Sequence, residues 1–315
     1  MADVKKIATR QGYGEALREL GQAHDNIVVF DADLAGSTQT AMFGKAFPNR
    51  HFNCGIAEGN MMAAAAGAAS MGMVAFASSF AMFAAGRAYE QVRNSIGYTR
   101  LNVKIGASHG GISVGEDGAS HQCLEDFALM RAIPGMVVMS PADAVEAKAM
   151  VKAAYEHEGP VYMRFGRSPV PVFHDENTFT FTIGKGDVMR EGTDVAVIAN
   201  GLLVAEAVEA GKLLADRGVS ARIINMATIK PLDEELVLKA AAECGKIVTC
   251  EEHSVIGGLG EAVCSLLSEK LPTPVRRIGV NDVFGHSGPA AALLEEFGLC
   301  AANIARVAEE FVHGA

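Results

Sequence analysis

The segment Gly55-Ile56-Ala57-Glu58-Gly59-Asn60-Met61 sets one carboxylate at the edge of residues 59–86, a run of 28 residues with neither a charge nor a histidine. A carboxyl buried by such a run can exist as a neutral acid and share a proton with a ligand nitrogen. The plainer alternative is that Glu58 places negative charge at the start of a helix over residues 60–69, where the helix dipole favours it. A second chemistry-bearing stretch runs from Ser108 to Gln122. There Gly110, Gly111, Gly115 and Gly118 permit tight or left-handed turns, and His109, Glu116, Asp117 and His121 can converge on a small polyhydroxylated ligand. A solvated loop with incidental histidines is the alternative. Phe80 and Phe83 lie three apart and share a face if they sit on a helical turn, where core packing is the default explanation. The Gly257-Gly258-Leu259-Gly260 turn has the look of a phosphate cradle, but Val263 breaks G-x-G-x-x-G, so tight helix–strand packing is expected. Walker A, H-E-x-x-H and G-x-S-x-G motifs are absent.

These residues need elements to hold them. Residues 26–30 (NIVVF), 74–77, 102–105 (NVKI), 136–139 (MVVM) and 161–164 (VYMR) read as strands, most of them followed by Ala-rich helical stretches such as 142–156. That alternation predicts βαβ units and a parallel sheet, with ligands at the carboxyl ends of its strands. Around residues 167–182 the pattern breaks into a polar connector with Pro169, Pro171, His174 and Asp175. A second α/β alternation follows: strands at 194–199, 220–225, 246–250 and 275–278, and helices at 205–215, 234–242, 260–269 and the C-terminus.

Composition narrows the function classes. With 315 residues, half of them apolar and a fifth charged, two globular α/β domains are expected and a disordered chain is excluded. A net charge of -10 argues against a broad nucleic-acid surface, though not against a local anion site. Six scattered cysteines without zinc or disulfide spacing read as reduced thiols of a cytoplasmic protein, and no secretory signal fits the N-terminus. The neutral run is long enough to span a bilayer, yet it is rich in Ala and Gly and interrupted by Asn60, Ser70, Ser78 and Ser79. It reads instead as buried in the fold or against another subunit.

Taken together, GIAEGNM at 55–61, SSFAMF at 78–83 and H-x-x-I-x-V-G-E-D-G-x-S-H-Q at 109–122 resemble the C-terminal half of transketolase, over almost the whole chain. The resemblance implies a pyrimidine-binding domain at 1–168, a linker at 169–184 and a transketolase C-terminal domain at 185–315. The family's G-D-G segment, which holds Mg2+ and the diphosphate of thiamine diphosphate, is missing here. One subunit of a split transketolase is therefore implied, paired as a heterotetramer with an N-terminal subunit that carries G-D-G and the Mg2+.

By the same resemblance Glu58 hydrogen-bonds N1′ of the aminopyrimidine and promotes its imino form, and Phe80, Phe83 and Asp33 join it around the cofactor. Gly86 stands where a third aromatic is expected. Asp117 and His121 face the reacting carbons of a sugar phosphate, while Arg10, Ser37, His109 and Arg164 match phosphate-contacting positions. The implied reaction moves a two-carbon ketol unit from a ketose phosphate to an aldose. His109-Gly110-Gly111-Ile112-Ser113 departs from the family's H-D-S-I-G, and Ala57 and Gly59 flank Glu58 in place of Arg and His, which leaves the sugars open, a branched or unusual ketose included. Other readings are a 2-oxo-acid dehydrogenase β subunit, a deoxyxylulose-phosphate-synthase-like enzyme, or a non-catalytic regulatory subunit.

Overall fold

The computed structural model describes residues 5–314; residues 1–4 and 315, the ends of the two expected domains, lie outside it. The first half comprises β1 (Lys6–Ala8), α1 (Thr9–Ala23), β2 (Ile27–Asp31), α2 (Ala35–Thr38), α3 (Ala41–Ala46), β3 (His51–Asn53), α4 (Glu58–Ser70), β4 (Val74–Phe80), α5 (Tyr89–Gln91), β5 (Val103–Ser108), α6 (Asp126–Arg131), β6 (Val137–Met139), α7 (Ala144–Glu156), β7 (Val161–Phe165) and β8 (Pro169–Pro171). The second half comprises β9 (Asp187–Arg190), β10 (Val195–Ala199), α8 (Leu203–Asp216), β11 (Ala221–Asn225), β12 (Thr228–Lys230), α9 (Glu234–Cys244), β13 (Ile247–Ser254), α10 (Leu259–Lys270), β14 (Val275–Val280), α11 (Ala290–Glu296) and α12 (Ala301–His313).

The larger sheet has the order β12-β6-β7-β5-β4-β2-β3, parallel except at the β12 edge. Its central strands β2, β4, β5 and β7 are buried at every residue, as expected of apolar runs covered by helices on both faces. On one face α1 and α7 meet so closely that a Cβ at Gly12 would lie 2.3 Å from the Ala144 carbonyl oxygen. On the other, α4 packs Met61, Met62, Ala65, Ala66 and Ala69 into the core. From β2 the chain passes to β3 on one side and later to β4 on the other. The carboxyl ends of β2 and β4 therefore border a crevice of the kind that takes ligands in parallel sheets.

The smaller sheet runs β14-β13-β10-β11-β9, parallel except for β9. The two halves exchange structure: β12, from the second, pairs with β6 of the first. Sequence periodicity did not foresee this edge strand, because three residues are too few to carry a pattern. No helix among the described residues is long and apolar enough to cross a membrane, and the six cysteines are free thiols.

Buried polar contacts lock the halves together. Arg164 at the end of β7 donates from Nη1 to the Glu252 carbonyl (2.8 Å) and from Nη2 to the Cys123 carbonyl (2.8 Å), while Nε faces Asp126 Oδ2 at 3.2 Å. Glu252 Oε1 accepts the Ser113 N–H at 2.6 Å, and the Leu124 carbonyl accepts the Ser254 N–H at 2.8 Å. The second half thus fixes the loop that follows β5.

Candidate active site

Glu58 is the first residue of α4 and is 1% exposed. Its side chain does not cap the helix: it points to Arg87, whose Nη1 donates to Oε2 at 2.8 Å, while Ser79 Oγ stands 3.5 Å from Oε1. Directly beyond it lies an aromatic wall. The sequence expectation put Phe80 and Phe83 together on a helical turn; in the structure β4 continues to Phe80 and Phe83 follows in a π-helical turn over Met82–Arg87. All seven residues of β4 are buried, so the strand extends past the apolar run into Ser78, Ser79 and Phe80. The two rings still stack, with centroids 6.1 Å apart and planes at 19°. His109 stacks on Phe80 at 4.0 Å, and His121 stands edge-on to Phe83 at 5.2 Å. One carboxyl, two phenyl rings and two imidazoles from α4, β4, the π-helical turn after it and the loop after β5 therefore converge.

His109 is buried with a positive φ of 56°, and its Nδ1 is 2.9 Å from Ser108 Oγ. Burial, then the charges of Arg10 and Arg167 and the nearby His121, pull its pKa down to about 3. The imidazole is neutral at physiological pH and bonds without carrying charge. Arg10, at the start of α1, donates to the Ser37 carbonyl at 2.7 Å, and burial together with Arg167 holds its guanidinium below the ordinary value. Arg10 and Arg167 thus form a cationic corner next to His109. Asp117 is exposed with Oδ2 4.0 Å from Arg167, and Ser120 Oγ lies 3.0 Å from His121 Nδ1.

Glu58, Phe80, Phe83, His109 and His121 are brought together, and Arg10, Ser37 and Asp117 surround the cationic corner. Asp33 is set apart in the turn after β2, with φ 64°, its Oδ1 accepting from Asn53 Nδ2 at 2.9 Å. Arg164 has a different setting: it is buried, its Nη1, Nη2 and Nε face Glu252, Cys123 and Asp126, and it clasps the loop. The half-exposed Arg167, three residues on, stands with Arg10 in the corner beside His109. Gly258 is also no phosphate cradle, because the α10 N-terminus is filled by Glu251, which accepts the N–H groups of Leu259 (2.7 Å) and Gly260 (2.8 Å).

Residues 5–172 match the model for the transketolase pyrimidine-binding domain, and residues 184–304 match that for the transketolase C-terminal domain. The chain belongs to the transketolase family. It is 53% identical over 304 residues to a putative transketolase C-terminal section of Methanocaldococcus jannaschii, covering 96% of this chain and 95% of the relative. It is 44% identical over 301 residues to a 6-deoxy-6-sulfo-D-fructose transketolase subunit of Clostridium sp., covering 96% and 93%. Among solved structures it matches a split-gene transketolase described as an inactive β4 tetramer, with a TM-score of 0.91, 52% identity and coverage of 98% and 99%. These end-to-end relatives are sections or subunits, and this chain is a transketolase-family transferase subunit of a split enzyme.

Within the transketolase fold, sequence reasoning missed Arg87 and Arg167. Each had a readable signal. Arg87 is the first charge after the neutral run, and Arg167 is the first charged residue beyond β7, at a strand end where ligands are expected.

Among the described residues no group of three or more His, Cys, Asp or Glu side chains could hold a metal ion. The residues present do fit the aminopyrimidine end of thiamine diphosphate. A buried carboxyl with one oxygen held only at 3.5 Å, beside stacked phenyl rings, offers a flat nitrogen heterocycle a hydrogen-bond partner and a platform.

Proposed function

We propose that this chain supplies the cofactor-activating and sugar-binding half of a thiamine-diphosphate-dependent ketol transferase. A partner chain bearing G-D-G provides the Mg2+ and diphosphate site. The observation that carries this reading is Glu58, buried at the foot of the Phe80–Phe83 wall with His109 and His121 at its rim. When bound, thiamine diphosphate supplies carbanion chemistry that breaks and remakes a C–C bond beside a carbonyl. Glu58 holds and returns the proton at N1′ of the pyrimidine, and Phe80 and Phe83 fix the ring's orientation. His121 and Asp117 bond hydroxyls near the reacting carbons. Neutral His109 bonds farther out, and Arg10 and Arg167 pair with a terminal anion through guanidinium forks. Ser37 supports Arg10, and Asp33 lies at the cofactor side of the β2 crevice.

The substrate class is a ketose with a terminal anion, phosphate first, which the sulfosugar subunit among the relatives supports. The partner docks on the solvent side of α4, where Asn60, Ala63, Ala64, Gly67 and Met71 form an exposed stripe without charge, continued by exposed Ile56. The completed enzyme is a heterotetramer of the cytoplasm. The relative whose β4 tetramer is described as inactive supports the need for a second kind of chain.

The test compares the chain alone with a mixture of the chain and its partner, given thiamine diphosphate, Mg2+, a ketose phosphate and an aldose. Ketol transfer by the mixture alone is expected. Turnover by the single chain, or decarboxylation of a 2-oxo acid in place of ketol transfer, contradicts the reading.

A further inference from the structure

Arg87 has no role in the chemistry above, yet it touches both groups that the proposed function assigns to the pyrimidine. Its Nη1 lies 2.8 Å from Glu58 Oε2, and its Cζ lies 4.5 Å from the centroid of Phe83. A guanidinium is flat, donates N–H to carboxylates and stacks on aromatic faces, which are the properties of a protonated aminopyrimidine. Arg87 thus touches both the carboxyl and the ring that an incoming pyrimidine would need. The pair is also lopsided: the Arg87 side chain is 49% exposed and that of Glu58 1%, so the arginine can leave while the carboxyl stays buried. A destination is at hand. Arg87 lines an open pocket of about 630 Å3 whose wall also carries the exposed carboxylates Glu125 and Asp282.

We propose that Arg87 is a latch that competes with the cofactor's pyrimidine for Glu58 and Phe83 and swings toward Glu125 and Asp282 when the cofactor enters. The proposal rests on the reading of Glu58 above. The closed latch gives a buried carboxyl a strong partner that it would otherwise lack. Cofactor entry must break this ion pair, so the latch weakens cofactor binding and makes Arg87 a positioning residue.

The experiment is a calorimetric titration of the assembled two-chain complex with thiamine diphosphate at constant Mg2+. Arg87→Met is expected to bind at least about 5-fold more tightly than the parent, with Arg87→Lys between them. Equal or weaker binding by Arg87→Met overturns the latch. Should that variant fail to assemble, the double variant Glu125→Gln/Asp282→Asn decides with Arg87 intact: removing the receiving carboxylates should weaken binding about 3-fold, and unchanged affinity refutes the proposal. A parent complex that takes up no thiamine diphosphate at all refutes the functional reading, and the latch with it, which keeps the two failures apart.

Discussion

Arg164 and Arg167 are three residues apart and have opposite surroundings. Arg164 is buried against Asp126, so Arg164→Met leaves a buried carboxylate without its cationic partner and should cost about 3–5 kcal/mol of stability. Arg167→Met should leave stability nearly unchanged and raise KM for anionic sugars about 10- to 100-fold, the worth of one charged hydrogen bond, with kcat little altered. Steady-state kinetics and urea unfolding read the two, and the reverse pattern would return the anion site to Arg164. The sequence could not separate them, since both are single arginines near the end of one strand and only the fold decides which side chain turns inward. His109 adds a pH dependence. Its folded pKa of about 3 lies below its ordinary 6.5, so the unfolded chain takes up a proton that the folded one refuses. Stability therefore falls as pH falls from about 6.5 toward 3, by up to about 1.4 kcal/mol per pH unit. His109→Gln should flatten that acid slope in urea titrations at pH 7 and 4.5, and an unchanged slope would contradict the assignment.

At the scale of elements, the hydrophobic runs were sufficient to locate β2, β4, β5, β6 and β7 and the alternation of the second half. The loop after β5 was legible as polar and glycine-rich, but the reason for its glycines was not. A Cβ at Gly110 would lie 1.9 Å from Arg164 Nε, and one at Gly111, where φ is 85°, would lie 2.3 Å from Glu252 Cδ. Those neighbours come from more than 50 and 140 residues away along the chain, and no local pattern encodes them. Gly111→Ala should destabilise the protein by about 2 kcal/mol or more and lower activity together with stability. Calorimetric unfolding checks this, and an unperturbed melting temperature would show that the loop does not depend on the Glu252 contact. The π-helical turn over Met82–Arg87 was equally invisible, because i→i+5 bonding has no signature in hydrophobic spacing. It is this turn that sets Arg87 beside Glu58.

For the whole molecule, the neutral run has two faces. Met61, Met62, Ala65, Ala66 and Ala69 fill the core, whereas Asn60, Ala63, Ala64 and Gly67 stay exposed on the same helix. Small residues on that face allow another chain close approach, so Ala64→Glu should abolish association with the partner while the melting temperature of the single chain stays the same. Analytical ultracentrifugation of the mixture is the check, and undiminished association would move the interface elsewhere. Glu58 links this surface to the chemistry, since it begins the helix whose outer face is the proposed partner surface and whose inner face carries the core. The most direct measurement is exchange of the thiazolium C2 proton into deuterated water, followed by NMR after acid quench in the two-chain complex. Glu58→Gln should retain assembly and bound cofactor but slow exchange at least about 100-fold. Equal exchange rates in parent and variant would contradict the assignment of Glu58.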